Sequence, residues 1–388
     1  MMKRFDHRAI LAFITLGGLF LRVIQLDFQP LWWDEGYSLF FATRDLATLL
    51  ERTAVDIHPP LYYVLLKLWM MLAGQSETAV RLFSVAIGVA AIPLLYLLAI
   101  KLFADRRIAL IAALFLAISP LHIYYSQEVR MYGLVTLFGL VSVILLVQLL
   151  DMPPGKPKTA ITALAYILAT TAALYTQYYA AFILAFEVLL VIAHAFISGS
   201  QPSSQARVSS DSQPDEPIGS RLVRALRSTE GLTHWIAAWA TILVLYAPWL
   251  IYAGGKLVTY ISAKKAIEKF SPLDPLTFLA QHLAAFSTGH LTTLTGLAWG
   301  SLLLVGMGAL GFAAMWERSR SAKTHSPLLS STTAPWVVAL YLAVPILCGY
   351  AVNLIYPFHP VHNERLLLLA MPAFLLLVAF GLNALWNR

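Results

Sequence analysis

Two adjacent carboxylates, Asp34 and Glu35, lie in the aromatic segment Leu31–Ser38, directly after the first long apolar run. Tryptophan and tyrosine are enriched where a chain enters or leaves a membrane. Placing charged groups next to a membrane costs free energy, and such groups commonly have a function. A carboxylate within hydrogen-bond reach of a hydroxyl or amine can act as a general base. The segment therefore predicts polar chemistry at a bilayer surface, with Asp34, the shorter and stiffer acid, as the base.

The composition is that of a membrane protein. Of the 388 residues, 59% are hydrophobic and 12% charged, and the mean hydropathy is +0.72. A soluble domain carries about 25% charged residues. The net charge of +7 is explained by Lys and Arg in cytoplasmic loops, so we expect no nucleic-acid partner. The single cysteine, Cys348, excludes an internal disulfide and argues against a thiolate metal site.

Repeated apolar runs of about 20 residues predict an all-α polytopic fold with about ten spans. The predicted spans are 9–26, 78–100, 107–121, 131–150, 159–175, 177–197, 233–253, 297–316, 335–353 and 366–385. We further expect interfacial helices in the external loops, including a short one within 254–296.

The run 59–73 decides the sidedness of every later span. It is apolar but short, contains Lys67 and begins with Pro59-Pro60. If it does not cross the membrane, most of the 27 Lys and Arg residues lie inside, as the positive-inside rule favours. We therefore predict that it lies along or dips into the outer face. Both termini are then cytoplasmic, and the protein is an integral inner- or plasma-membrane protein.

Three regions follow from this reading. Residues 1–197 would form the catalytic core, with the first external loop at 27–77. Residues 198–230, rich in Ser, Gln and Pro, predict a flexible cytoplasmic loop. Residues 231–388 would supply further spans and complete a groove for a lipid.

The predicted topology places four polar segments on one face of the membrane. They are Trp32–Glu35, Asp56–Pro60, Tyr124–Tyr132 and His359–Arg365. Convergence of acids, histidines and arginines from distant parts of the chain is what an active site requires. Their position at one aqueous rim suits chemistry on a lipid-linked substrate.

Three of these features resemble the bacterial branch of the GT-C glycosyltransferases, relatives of the protein O-mannosyltransferases and aminoarabinose transferases. They are the acidic pair, the His58-Pro59-Pro60 entry to an apolar helix, and the motif Ser126–Tyr132. Arg81-Leu82-Phe83-Ser84 also fits. The resemblance covers about 30–150. It implies the GT-C fold and transfer of a sugar from a polyprenyl-phosphate donor to a glycan, lipid or protein acceptor outside the cytoplasm.

A leaving phosphate needs fixed positive charge, and arginine binds phosphate through a bidentate fork. Arg130 and Arg365 are the candidate phosphate ligands, with Lys256 and Lys264 as further ones. Because cations could cover the leaving group, we expect no obligatory metal and no cofactor.

The remaining candidate residues each have more than one interpretation. Glu128 either orients the acceptor or sugar, or pairs with a cation and holds its loop. His58 is a sugar contact or a structural hydrogen bonder, and Tyr132 is a substrate contact by its place in the motif. Arg365 could instead anchor at the interface. Glu187, inside a span, is expected to be protonated or hydrogen-bonded within the bundle.

Two other function classes fit the composition. A transporter or flippase of lipid-linked glycans would place its charges near the bilayer midplane, often on broken helices within internal repeats. The charges here lie at one face and no repeat is evident, which favours an enzyme. A non-catalytic relative that only binds isoprenoid lipid is the other alternative, and the intact acidic pair argues against it.

Overall fold

The computed structural model describes residues 6–152, 156–199, 229–291, 295–321, 334–357 and 363–387. Within these ranges the chain forms helices and no strand. The α-helices are α1 His7–Val23, α2 Trp33–Thr43, α3 Leu46–Val55, α4 Leu61–Ala73, α5 Glu77–Phe103, α6 Arg106–Ile118, α7 Pro120–Gln127, α8 Tyr132–Leu150, α9 Pro157–Thr176, α10 Ala181–Gly199, α11 Thr229–Ile267, α12 Pro275–Thr288, α13 Thr295–Ser321, α14 Ala334–Ile355 and α15 Met371–Trp386. Three 3₁₀ segments, Tyr178–Ala180, Gly289–Leu291 and Asn363–Ala370, join some of them.

Eight of the described helical stretches are long and apolar enough to cross a bilayer, and the bent pair α6–α7 makes a ninth. Helix α1 has 17 residues and carries Arg8 and Arg22, so it falls just below that length. The prediction of about ten spans is close to this result. The all-α polytopic fold is confirmed.

The segment between α1 and α5, predicted to be the first external loop, contains three short helices, α2, α3 and α4. Helix α4 has 13 residues, about 20 Å at 1.5 Å per residue, whereas the hydrocarbon core is about 30 Å thick. Tyr62, Tyr63 and Leu66 of α4 are fully buried. A helix this short agrees with the prediction that 59–73 does not cross, and the sidedness itself stays a prediction.

The predicted span 107–121 is broken. Helices α6 and α7 meet at 53°, and Ser119 caps α7 by accepting a hydrogen bond from the His122 N–H. Pro120, at the first position of α7, cannot continue the hydrogen-bond ladder of α6. The bend turns the chain toward the loop that carries Glu128 and Arg130.

Arg22, at the end of α1, is fully buried against this bend. Its guanidinium donates to the carbonyls of Gly18, Leu116 and Ala117, to the Ser126 hydroxyl and to His122 Nδ1, at 2.9–3.1 Å. Two of these carbonyls lie in the last turn of α6, where a cation also favours the helix dipole. Arg22 therefore fixes the bend from the neighbouring helix.

Helices α13 and α15 cross at two glycines. A Cβ on Gly311 would clash with the Leu377 carbonyl, and one on Gly381 would clash with the Met307 carbonyl. Small residues allow this close backbone approach in membrane bundles. The crossing holds the C-terminal helix, which follows directly on the segment carrying Arg365.

Two predictions concern the C-terminal half. Helix α11 continues to Ile267, and the short helix within 254–296 is the separate α12; its place at the membrane surface stays a prediction. Glu187 accepts hydrogen bonds from Ser142 at 2.6 Å and Tyr166 at 2.9 Å, which confirms that it is bonded within the bundle. The greater part of the predicted loop 198–230, as well as His359 and His362, lies outside the described residues.

Candidate active site

Three segments meet at one end of the bundle. They are the first turn of α2, the turn between α7 and α8, and the 3₁₀ segment Asn363–Ala370. Asp34 Oδ2 lies 3.4 Å from Arg365 Nη1 and 3.9 Å from Arg130 Nη2. Arg130 Nη1 also donates to the Asp34 carbonyl at 3.2 Å. The structure thus brings the candidate base and both candidate phosphate ligands into one cluster.

Neither arginine forms a closed pair with Asp34. A charge-assisted N–H···O bond is normally 2.7–2.9 Å long, and both Asp34 distances exceed this. The Asp34 side chain is 24% exposed, while that of Arg365 is 13% and that of Arg130 5% exposed. A reacting group could therefore reach the exposed part of the Asp34 carboxylate, next to two guanidinium groups.

Glu35, the neighbouring acid, has the opposite environment. Its carboxylate is fully buried and accepts from Arg81 Nε at 3.0 Å and Arg81 Nη2 at 2.8 Å. It also accepts from the Val129 N–H at 3.1 Å and the Trp32 N–H at 3.2 Å. Both oxygens are occupied, so this geometry is that of a positioning residue.

The Glu35 contacts explain how the site is assembled. The bond to Trp32 caps the start of α2, because the Glu35 carboxylate accepts from the N–H of the residue just before the helix, and this fixes the helix that presents Asp34. Arg81 connects Glu35 to α5 and donates to the carbonyls of Leu26 and Gln29. The bond to Val129 attaches the turn that carries Arg130. One buried carboxylate thus ties α2, α5 and that turn together.

His58 connects the first loop to the same cluster. Its Nδ1 lies 3.2 Å from Asp56 Oδ2, and its Nε2 lies 3.3 Å from Arg130 Nη2. Burial lowers the pKa of His58, which favours the neutral imidazole. In that form Nδ1–H donates to Asp56 and Nε2 accepts from Arg130. Burial acts to raise the pKa of Asp56, but the hydrogen bond and charge of His58 outweigh it and hold that pKa below its usual range.

Glu128 is a buried acid at the edge of the cluster. Burial raises its pKa to about 7, although Arg365 and Arg130 act in the opposite direction. Its Oε2 is buried and has no hydrogen-bond partner within the described residues. Arg130 N–H donates to the Glu128 carbonyl at 2.9 Å, so the turn places the acid and the arginine side by side.

Aromatic rings complete the site. The Arg365 guanidinium lies 5.5 Å from the Tyr132 ring centre and 5.9 Å from that of Trp32, and Arg130 lies 5.8 Å from Tyr132. Cation–π contact within about 6 Å is attractive and restricts the guanidinium. Tyr132 is therefore a contact of both arginines, in addition to its predicted contact with substrate.

Lys256 and Lys264 have contacts along α11. Lys256 Nζ lies 4.1 Å from the Tyr252 ring centre, and Lys264 Nζ lies 3.8 Å from Glu268 Oε1. These contacts give no reason to place either lysine beside Asp34, and their role as phosphate ligands stays a prediction. Within the described residues no group of three His, Cys, Asp or Glu side chains is arranged to hold a metal ion.

Arg22 was not identified from the sequence as a structural residue of the site, and Arg81 was named only as part of the motif Arg81–Ser84. Arg81 lies in the first part of a span and Arg22 at the end of another. The available signal was their place in otherwise apolar runs, since a charge there is rare and normally paired. The sequence gives no indication of which partners they have.

The chain matches one known family in sequence. The sequence model of the family described as dolichyl-phosphate-mannose-protein mannosyltransferase matches residues 57–203. No curated protein matches the sequence. The match includes His58, Arg81 and the motif at 126–132.

Solved structures with the same fold are known. ArnT from Cupriavidus metallidurans bound to undecaprenyl phosphate is 14% identical, with a TM-score of 0.57, over 96% of this chain and 60% of that one. The oligosaccharyltransferase AglB from Archaeoglobus fulgidus, in complex with an inhibitory peptide and a dolichol-phosphate, is 12% identical, with a TM-score of 0.56, over 99% of this chain and 51% of that one. This chain thus spans only part of the length of either neighbour.

The fold is therefore that of the GT-C class of membrane glycosyltransferases. The resemblance to the polyprenyl-phosphate-sugar-dependent GT-C enzymes, drawn from the motifs, is confirmed by the family match and by these two structures. Within that class, the matched family is the one of the dolichyl-phosphate-mannose-protein mannosyltransferases.

Proposed function

We propose that this protein transfers a sugar from a polyprenyl-phosphate donor to an acceptor on the non-cytoplasmic face of the membrane. The observation that carries the proposal is the approach of both Arg130, at 3.9 Å, and Arg365, at 3.4 Å, to Oδ2 of the partly exposed Asp34 carboxylate. The family match and the lipid phosphates named with ArnT and AglB support it.

The proposed reaction is one inverting displacement. A hydroxyl or amine of the acceptor attacks the anomeric carbon while Asp34 takes its proton. The new bond forms on the face opposite the bond to phosphate, which breaks, and the polyprenyl phosphate leaves with the electron pair. Arg130 and Arg365 stabilise the charge on the leaving phosphate.

The other site residues have supporting roles in this proposal. Glu35 holds Asp34 in place through the α2 cap and Arg81, and it does not itself take the proton. His58 and Tyr132 orient Arg130, and the same side chains would contact the sugar. Glu128 orients the acceptor or sugar with its buried carboxyl group.

A groove among α5, α8 and α9 is a candidate site for the polyprenyl chain. It has a volume of about 560 Å³ and is lined by apolar residues that include Pro93, Leu137 and Leu168. Leu137 lies five residues along α8 from Tyr132, which is ~7.5 Å at 1.5 Å per residue. A phosphate held at the arginines could thus extend its chain toward this groove.

The test is transfer by the purified protein from a defined polyprenyl-phosphate sugar. We expect Asp34→Asn to reduce the rate by about 10²–10⁴-fold, the usual effect of losing a general base. Donor binding and folding should persist, because Asn keeps the size of the side chain. Asp27→Asn is the matched control, since Asp27 is exposed in the same loop.

Near-normal transfer by Asp34→Asn would overturn the assignment of the base. A wild-type protein that transfers no sugar from any polyprenyl-phosphate donor, yet binds the lipid, would favour the non-catalytic alternative. Movement of an intact lipid-linked glycan across a vesicle membrane would favour the transporter.

A further inference from the structure

A second cavity lies at the end of the bundle opposite Asp34. Helix α8 starts at the site with Tyr132 and ends at Leu150, 19 residues or ~28 Å away. The cavity has a volume of about 560 Å³ and includes Leu150, Lys156, Tyr166, His194, His234 and Trp235 in its lining. Small-molecule sites commonly have volumes of about 300–1,000 Å³. The cavity is thus large enough for a ligand and separate from the candidate active site.

The polar groups of this cavity are unevenly distributed. Lys156, just before α9, and His234, early in α11, are exposed, and His194 lies near the end of α10. The exposed bases Lys156 and His234 mark the mouth, and His194 is half-buried. Asp151, the residue after α8, is an acid at the same end and interacts electrostatically with His194.

The deeper part of the cavity offers little to a polar ligand. Tyr166 is fully buried, and its hydroxyl donates to Glu187 Oε2 at 2.9 Å. Glu187 also accepts from Ser142, which is bonded to Thr170 at 2.6 Å. This network satisfies its own polar groups. The walls around it are apolar and include Leu149, Leu150 and Ala163.

We propose that this cavity binds a membrane lipid with a phosphate headgroup. The headgroup would lie among Lys156, His194 and His234, and the first part of the acyl or isoprenoid chain would lie against the walls formed by α8, α9 and α11. A lipid, rather than a free phosphate compound, fits because the bases are at the mouth and the interior is apolar. Lysine and histidine side chains donate to phosphate oxygens, and apolar burial favours the chain.

The experiment is photo-labelling of the purified full-length protein in nanodiscs. The probe is a phosphatidic acid with a diazirine in its acyl chain, compared with the same diazirine on an uncharged diacylglycerol. We expect the charged probe to label the segment 160–163 or Trp235 at least about fivefold more strongly. Asp34→Asn should label like the wild type, so the outcome is independent of sugar transfer.

Variants locate the headgroup. Lys156→Gln combined with His194→Gln and His234→Gln should reduce labelling by the charged probe to the level of the uncharged one. Lys158→Gln is the matched control, since Lys158 is exposed on the same turn but does not line the cavity. Ala160→Trp, which fills the cavity without removing charge, should also abolish specific labelling.

Three outcomes would overturn the proposal. Equal labelling by the two probes would show that the bases select no anion. Full labelling of the triple variant would show that the headgroup does not bind at Lys156, His194 and His234. Displacement of the charged probe by millimolar inorganic phosphate, with no displacement by unlabelled phosphatidic acid, would show that the cavity binds a free phosphate compound instead of a lipid.

Discussion

Asp34 and Arg365 come from opposite ends of the chain and meet with 3.4 Å between Oδ2 and Nη1. The contact joins the first turn of α2 to the 3₁₀ segment that precedes the last helix. Arg365 also lies within 6 Å of the ring centres of Trp32 and Tyr132. It is therefore held in the cluster from several sides, and the alternative that it only anchors at the lipid interface has no support in these contacts.

The first prediction concerns the leaving group. We expect Arg130→Gln and Arg365→Gln each to raise the KM for the polyprenyl-phosphate donor by about 10- to 100-fold, since a hydrogen bond to a charged group contributes about 1.5–3 kcal/mol. The KM for the acceptor should change little. Steady-state kinetics with each substrate varied in turn measures both constants.

Arg52→Gln serves as the control for these arginines, because Arg52 is exposed on α3 of the same loop. An increase in the acceptor KM with an unchanged donor KM would place the arginines on the acceptor instead. That result would not affect the role of Asp34, which the transfer assay with Asp34→Asn tests separately.

The second prediction separates the two adjacent acids. Glu35→Gln should lower the free energy of unfolding by about 3–5 kcal/mol, because it leaves the Arg81 charge buried without its partner. Asp34→Asn should change it far less, since that carboxylate is partly exposed and makes only loose pairs. Thermal unfolding in detergent, followed by tryptophan fluorescence, compares the variants.

Glu51→Gln is the control for Glu35→Gln, because Glu51 is an exposed acid on α3. The double variant Glu35→Gln/Arg81→Gln should recover part of the lost stability, as expected for two residues that interact directly. Equal stability of Glu35→Gln and the wild type would contradict the positioning role of Glu35.

The third prediction concerns sidedness. If 59–73 does not cross the membrane, as predicted, 198–230 is cytoplasmic. We then expect a cysteine introduced at Ser209, in a Cys348→Ala background, to be shielded from a membrane-impermeant thiol reagent in intact cells. A cysteine at Thr48, on α3 of the first external loop, should be labelled and acts as the positive control. Labelling at Ser209 with none at Thr48 would reverse the topology.

The sequence predicts the type of site more completely than its internal geometry. The apolar runs predict the spans, since the length of a helix that crosses a bilayer is set by the bilayer. The motifs at 34–35, 58–60 and 126–132 indicate which side chains converge. The different environments of Asp34 and Glu35 are not visible in the sequence, because they depend on Arg81 and Val129, which approach only after α5 and the turn at 128–131 are packed.

The break between α6 and α7 shows a second limit. A proline within an apolar run predicts a possible bend. Its angle and direction depend on Arg22, which lies about one hundred residues earlier and bonds to the last turn of α6. Sequence patterns describe one element at a time, whereas this contact belongs to two.

The last prediction concerns pH and Glu128. Its pKa is raised to about 7, with burial as the main cause. The folded protein therefore keeps this proton at pH values where the unfolded chain, with an ordinary carboxyl group, has lost it. The stabilising contribution is complete below the unfolded pKa and is lost as the pH rises through about 7.

We therefore expect the wild type to lose stability between about pH 5 and pH 8 relative to Glu128→Gln, whose amide does not titrate. The measurement is the midpoint of thermal unfolding of both proteins over this range, with Glu51→Gln as the exposed control. The difference between wild type and Glu128→Gln should change by several degrees, and Glu51→Gln should follow the wild type. Parallel curves for wild type and Glu128→Gln would show that the Glu128 carboxyl is already ionised in the folded protein, paired with Arg130 or Arg365, and that it fixes the turn through charge.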